Sequence, residues 1–209
     1  RVGKNRRALS MITLLGWIWW LFCPVRKRLA IDNYRSAFHN RPSGELRRCV
    51  GEMIWGYIEL AIGKRAEVHG AEHAANGGLC LAGHGGAWDL ALISAAHHIP
   101  ITIFVKTPSN PLVAWWIRRT REAAGLELLP PHSSALAAYR ALQRGRLVVF
   151  VQDQRHNQGI PVPFFGRPAW TSRGFAVLAA RTGAPVFGAW QSRDEKDGTH
   201  RMQIEPLSM

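Results

Sequence analysis

At 209 residues the chain can enclose one sizeable core, and no linker-like stretch divides it, so one α/β unit behind a hydrophobic start is the default. Lys and Arg number 27 against 14 Asp and Glu, a net charge of +13 that favours an anionic partner. The basic residues are dispersed, without zinc-finger spacing or a ribonucleoprotein aromatic motif, which argues against nucleic acid; with nine tryptophans, anionic lipid or an acidic carrier protein fits better. Cys23, Cys49 and Cys80 stand far apart in apolar surroundings, which excludes a disulfide framework or a cysteine zinc site and suits a reducing compartment.

Arg1 to Arg7 is basic, and the uncharged run ALSMITLLGWIWWLFCPV follows from Ala8 to Val25, closed by Arg26, Lys27 and Arg28. Residues 1–28 therefore read as a basic-flanked, membrane-anchoring helix, either a tilted span at the lower length limit or a helix lying in the interface. No small-x-small site precedes Arg26, so it is not a cleaved signal peptide. Ile31–Asn40 is a short polar helix, and Pro42-Ser43-Gly44 a turn. Glu45–Lys64 carries apolar residues at helical spacing, with Glu59 as a solvated edge rather than a polar contact to a site.

From residue 69 onward strands and helices alternate. Strands are predicted at Leu79–Ala82, Ile101–Val105, Leu126–Leu129, Leu147–Val151, Pro185–Trp190 and Arg201–Glu205. Helices are predicted at Trp88–Ala96, Pro111–Ala124, Ser134–Arg144 and Ser172–Thr182. Such short repeated units indicate an α/β sheet that binds ligands at the carboxyl ends of its strands.

His84 lies at one such end, in GHGGAWDL. On a continuous helix, His84 and Asp89 would stand roughly 140° apart and would not meet. They meet if His84 sits on a tight turn and Asp89 in the first turns of the following helix. Gly85 and Gly86 would give that turn its freedom and leave a floor open to substrate. A carboxylate on one imidazole nitrogen fixes the tautomer and makes the other a better base, which suits attack by an alcohol. Taken alone, the pair is equally a turn histidine and an acid complementing a helix dipole.

Further along, Arg118 and Arg121 share a helix face, and Arg121 is the better candidate to hold a phosphate or carboxylate. The strand LVVFV empties into Asp153 and Gln154, a position at which a carboxylate is commonly functional. GIPVPFFG places Phe164 and Phe165 in a rigid apolar lip, either lining an acyl channel or plugging the core. His69 and His73 lie four apart, but Gly70 interrupts and no metal site is expected.

In order and separation these segments resemble the bacterial lipid A biosynthesis acyltransferase family, which includes lauroyl and myristoyl transferases and related phosphatidylinositol mannoside acyltransferases. The resemblance is carried by the hydrophobic start and IDNYRSAF, by GHGGAWDL, by Arg121-Glu-Ala-Ala-Gly125, and by VFVQDQ followed by VPFFGRPAWTSRG and LAARTGAPV. It implies a glycerol-phosphate-acyltransferase-like mixed sheet flanked by helices over residues 29–209, truncated at its C-terminus relative to the family. It also implies transfer of a fatty acyl chain, without a cofactor, from acyl carrier protein or acyl coenzyme A to a hydroxyl of an anionic glycolipid or phospholipid. The setting would be the cytoplasmic face of the inner membrane, in lipid A and lipopolysaccharide synthesis. His84 would be the general base and Asp89 its partner, Gly85 and Gly86 the oxyanion donors, with Arg121, Asp153 and Gln154 in the polar part of the site. No Ser or Cys nucleophile stands near the histidine, so the acceptor alcohol attacks directly. Asp89 stands where lipid A enzymes often have Glu, which leaves open an acyl-coenzyme-A-dependent lysophospholipid or glycophospholipid acyltransferase. A non-catalytic membrane-surface binding protein is the reading from another class.

Overall fold

The computed structural model describes residues 2–22, 27–38, 44–106, 108–130, 135–194 and 196–208. Cys23, Arg26, the turn at Pro42-Ser43 and the first residue of the helix expected from Ser134 lie outside these. Three helices lead, α1 (Val2–Phe22), α2 (Lys27–Ala37) and α3 (Gly44–Ala61). Then follow β1 (Glu67–His69), a 3-10 turn at Ala71–Ala74, β2 (Gly78–Ala82), α4 (Trp88–Ala96), β3 (Ile101–Phe104), α5 (Pro111–Ala123) and β4 (Glu127–Leu129). The chain continues as α6 (Ala135–Gln143), β5 (Leu147–Val151), β6 (Ile160–Phe164), β7 (Arg167–Thr171), α7 (Gly174–Thr182), β8 (Val186–Arg193) and β9 (His200–Pro206).

Seven strands form one sheet in the order β1-β9-β8-β2-β5-β3-β4, parallel throughout except for the antiparallel pair β8–β9. The expected α/β class is observed as a mostly parallel sheet with helices on both faces. One face packs Cys80, Ile101, Ile103, Val149 and Phe187 against α4 and its neighbours, including Leu60 of α3. The opposite face packs Leu79, Val148 and Val186 against Ala138 and Ala141 of α6 and Phe175 and Leu178 of α7. Burial on both faces explains why these strands are continuous apolar runs in the sequence.

Helix boundaries follow local chemistry. Asn110 caps α5 by accepting from the N–H groups of Leu112 and Val113, and Pro111 occupies the first helical position. Gly183 ends α7 in the left-handed region, at φ 61°.

Among the described residues no helix is long and apolar enough to cross a membrane. In α1 the basic residues Lys4, Arg6 and Arg7 fall inside the helix, leaving Ala8–Phe22 as its apolar part. Those described residues alone are short of the roughly 20 that a bilayer core requires. α1 lies directly on α3. A Cβ at Gly16 would collide with the Arg47 carbonyl, and one at Gly51 with the Ile12 carbonyl, so the two backbones approach as closely as only glycine permits. Ile12 is fully buried at this crossing, while Met11, Leu14, Ile18, Leu21 and Phe22 are exposed.

β6 and β7 form a separate two-stranded antiparallel sheet that was not predicted from the sequence. Pro161, Pro163 and Pro168 remove amide donors, which disguises strands until they are seen paired at an edge.

Candidate active site

β2 and β5 are parallel neighbours in register, Ala82 opposite Val151. His84 and Asp153 each follow two residues later, so the strand pairing itself delivers them to adjacent positions at the carboxyl edge. There the Asp153 carboxylate takes two contacts from His84. Oδ1 lies 2.6 Å from the ring Nδ1, and Oδ2 accepts from the backbone N–H, also at 2.6 Å. Partial burial works against the Asp153 anion, but the His84 ring and amide hydrogen bonds outweigh it and hold the carboxyl below its ordinary range.

With the carboxylate on Nδ1, that nitrogen carries the proton and Nε2 presents a lone pair. Gln154 Nε2 lies 3.5 Å from it, and the Trp88 ring stands edge-on to the imidazole at 5.0 Å between centroids. His84 opens onto a cavity of about 580 Å³, a size usual for small-molecule sites. Phe104, Val105, Phe150 and Leu178 make part of its wall apolar, and Lys106, Arg155 and His156 make another part basic.

The expected partnership of Asp89 with His84 is not observed. Asp89 is buried, and its two oxygens accept from Arg121 Nε at 2.8 Å and Nη2 at 3.1 Å; Tyr57 donates its hydroxyl to Oδ2 at 2.9 Å. The reason is topological. Asp89 lies in the first turn of α4, which runs down over the sheet, whereas the carboxyl end of β5 stands beside the histidine. Burial and the adjacent Asp89 anion both push the Tyr57 phenol far above its ordinary range, so it remains a donor.

The loop between His84 and α4 is held from β8. Gln191 Oε1 accepts the Ala87 N–H at 3.0 Å, and Gly86, at φ 56°, lies so close that a Cβ would strike the same oxygen. Gln191 Nε2 faces the Ser192 carbonyl at 2.7 Å and His200 Nδ1 at 2.9 Å. His200 Nε2 in turn meets Glu59 at 2.6 Å. Glu59 is thus buried, at 1 % exposure, not the solvated edge expected from the sequence, and Lys64 and Arg193 also neutralise it. Burial opposes its ionisation, yet the hydrogen bonds from His200 and Lys64 win and bring its pKa down to about 2. At Gly85 a Cβ would meet nothing within 4 Å, so the turn offers open backbone beside the imidazole.

The model of the family described as bacterial lipid A biosynthesis acyltransferase matches residues 50–208. The chain belongs to that family. This acyltransferase finds no match among curated proteins. Among solved structures it is similar to the 1-acyl-sn-glycerophosphate acyltransferase PlsC from Thermotoga maritima, at 16% identity and a TM-score of 0.42, over 97% of this chain and 86% of that one.

In the acyltransferase, then, His84 meets Asp153 and Gln154, with Gly85 and Gly86 next to it in the chain. Arg121 borders the cavity with its guanidinium committed to Asp89, while Arg118 points to solvent and pairs with Glu122. Phe164 and Phe165 are absent from the cavity wall and stand exposed at the tip of the β6–β7 hairpin, which corrects their expected place in an acyl channel or core. Sequence reasoning missed Tyr57, Lys106, Arg155, His156 and Gln191. For Lys106 the available signal was its place just past the strand Ile101–Val105. Nothing local marks Tyr57 or Gln191.

Proposed function

We propose that this acyltransferase moves a fatty acyl chain from a thioester donor, acyl carrier protein, to a hydroxyl of a lipid A precursor or related anionic glycolipid. The observation that carries the mechanism is the His84–Asp153 pair on the cavity wall, in which the carboxylate engages Nδ1 and leaves Nε2 for the acceptor. His84 Nε2 takes the proton of the acceptor hydroxyl as its oxygen attacks the thioester carbonyl carbon. The tetrahedral oxyanion is met by the Gly85 and Gly86 amides, since the Ala87 N–H is already given to Gln191. On collapse the C–S bond breaks, and the imidazolium returns its proton to the leaving sulfur. Asp153 stabilises the imidazolium through Nδ1 and stays ionised, as its lowered pKa favours. Asp89 with Arg121 and Tyr57 fixes α4 relative to α3 and α5, a positioning role.

Among the described residues burial pushes the Cys80 thiol up to about 12 and also raises that of Cys49, which argues against either as an acyl-accepting thiolate near neutral pH. The glycerol-phosphate-acyltransferase-like reading of the sheet and the placement at the cytoplasmic face of the inner membrane belong to the same proposal. Its test is product formation, followed by mass spectrometry, with acyl carrier protein and coenzyme A thioesters offered separately to a lipid A precursor and to a lysophospholipid. His84→Ala is expected to lower turnover by about 10²–10⁴ with an unchanged melting curve. A His84→Ala protein as active as the parent overturns the mechanism, and preference for coenzyme A with a lysophospholipid moves the substrate class to the alternative.

A further inference from the structure

The β6–β7 hairpin is exposed at every residue of its first strand, and no main-sheet strand pairs with it. Ile160, Val162 and Phe164 alternate along one face, and Phe165 turns the tip at φ 48°. Phe164 is 63% exposed and Phe165 56%, a degree at which two adjacent aromatic rings in water are costly. Their rings meet edge to face at 4.6 Å, and Phe165 lies 6.3 Å from Phe38, itself 42% exposed beyond the end of α2.

The charge around this aromatic group has one sign. Between Asp153 and Asp194 the sequence contains no acid, and Arg155, Arg167 and Arg173 flank the hairpin, Arg167 directly opposite Phe164 in the ladder. The sequence before Asp32 is also free of acids and includes α1, with its row of exposed apolar residues. Aromatic rings at a tip, with guanidinium groups behind them, match the interface of an anionic bilayer, where rings enter the headgroup boundary and arginines meet phosphates.

We propose that the β6–β7 hairpin, with Phe164 and Phe165 at its tip and Phe38 beside it, is a membrane contact that docks into an anionic lipid surface. The hairpin springs from the cavity rim. Arg155 and His156 before it and Ser172 and Gly174 after it all line the cavity, and the His156 N–H donates to the Trp170 carbonyl at 2.8 Å. Docking the tip would set the cavity mouth about 15 Å from the bilayer boundary, the span of a five-residue strand. The proposal rests on the acyl-transfer reading only for the purpose of that placement, since lipid binding needs no acyl donor.

The test is sedimentation of the full chain with vesicles of equimolar phosphatidylcholine and phosphatidylglycerol, and with pure phosphatidylcholine. F164D/F165D is expected to weaken partition onto the anionic vesicles about tenfold or more. Its far-ultraviolet dichroism should match the parent, because both rings lie outside the core. Arg167→Gln should reduce the preference for anionic over neutral vesicles. As a control, Ile62→Asp places an acid on an exposed apolar site just past α3, on a different element, and should leave binding within twofold. Unchanged partition of F164D/F165D overturns the proposal, as does an equal loss from Ile62→Asp. If that double variant instead turns a parent dimer into a monomer while vesicle binding persists, the face joins two copies of the chain and the membrane reading is overturned.

Discussion

Two aspartates that look alike in the sequence have opposite environments. Asp153 sits half in solvent with its oxygens on His84, whereas Asp89 is buried with both oxygens on Arg121. Asp153→Asn should therefore cut turnover by about 10²–10³ while leaving the denaturant midpoint nearly unchanged. Asp89→Asn should cost about 3–5 kcal/mol of stability, because it strands the Arg121 guanidinium in the interior. D89N/R121M should recover much of that loss, and urea titration of the three variants checks it. Glu59 adds a pH dependence. Its pKa is depressed from 4.5 to about 2, so its contribution is complete above the unfolded-state value and disappears as pH falls from 4.5 towards 2. The amount is about 3 kcal/mol. Urea midpoints measured across that range should slope less steeply in Glu59→Gln than in the parent, the remainder coming from other depressed carboxylates such as Asp153.

At the scale of elements, the apolar strands were legible because they are buried on both faces, and the helices because apolar residues recur at helical spacing. The position of His84 at a strand end was equally legible. The identity of its partner was not, since it depends on strand order. Asp89 is five residues away in the chain, yet Asp153 is brought in by β5, which the sheet inserts next to β2. A clue existed in the equal two-residue offset of His84 and Asp153 from Ala82 and Val151, but it acquires meaning only once those strands are known to pair. Glu59 was misread for a similar reason, its partner His200 being supplied by the last strand. The loop before α4 depends on β8 in the same way. Gln191→Leu removes the acceptor for the Ala87 N–H and should lower kcat/KM by about tenfold to a hundredfold, with a smaller effect on thermal stability, as steady-state kinetics and melting would show.

For the whole molecule, the dominant fact is the +13 charge, with acids missing from two long stretches of sequence. Association with acidic carrier or anionic vesicles should weaken steeply with salt, because the screening length contracts from about 10 Å at 0.1 M to about 3 Å at 1 M. With acyl carrier protein as the proposed donor, KM for its thioester should rise across that range while kcat changes little. The glycine crossing of α1 and α3 has its own consequence. Gly51 seats α1, and Gly56, where a Cβ would strike Ala87, seats the loop before α4. These seats lie about 7.5 Å apart along α3 and roughly 140° around it. α3 thus joins α1 to the loop that follows His84 through two contacts that only glycine permits, so a side chain at either position would disturb the seating of both.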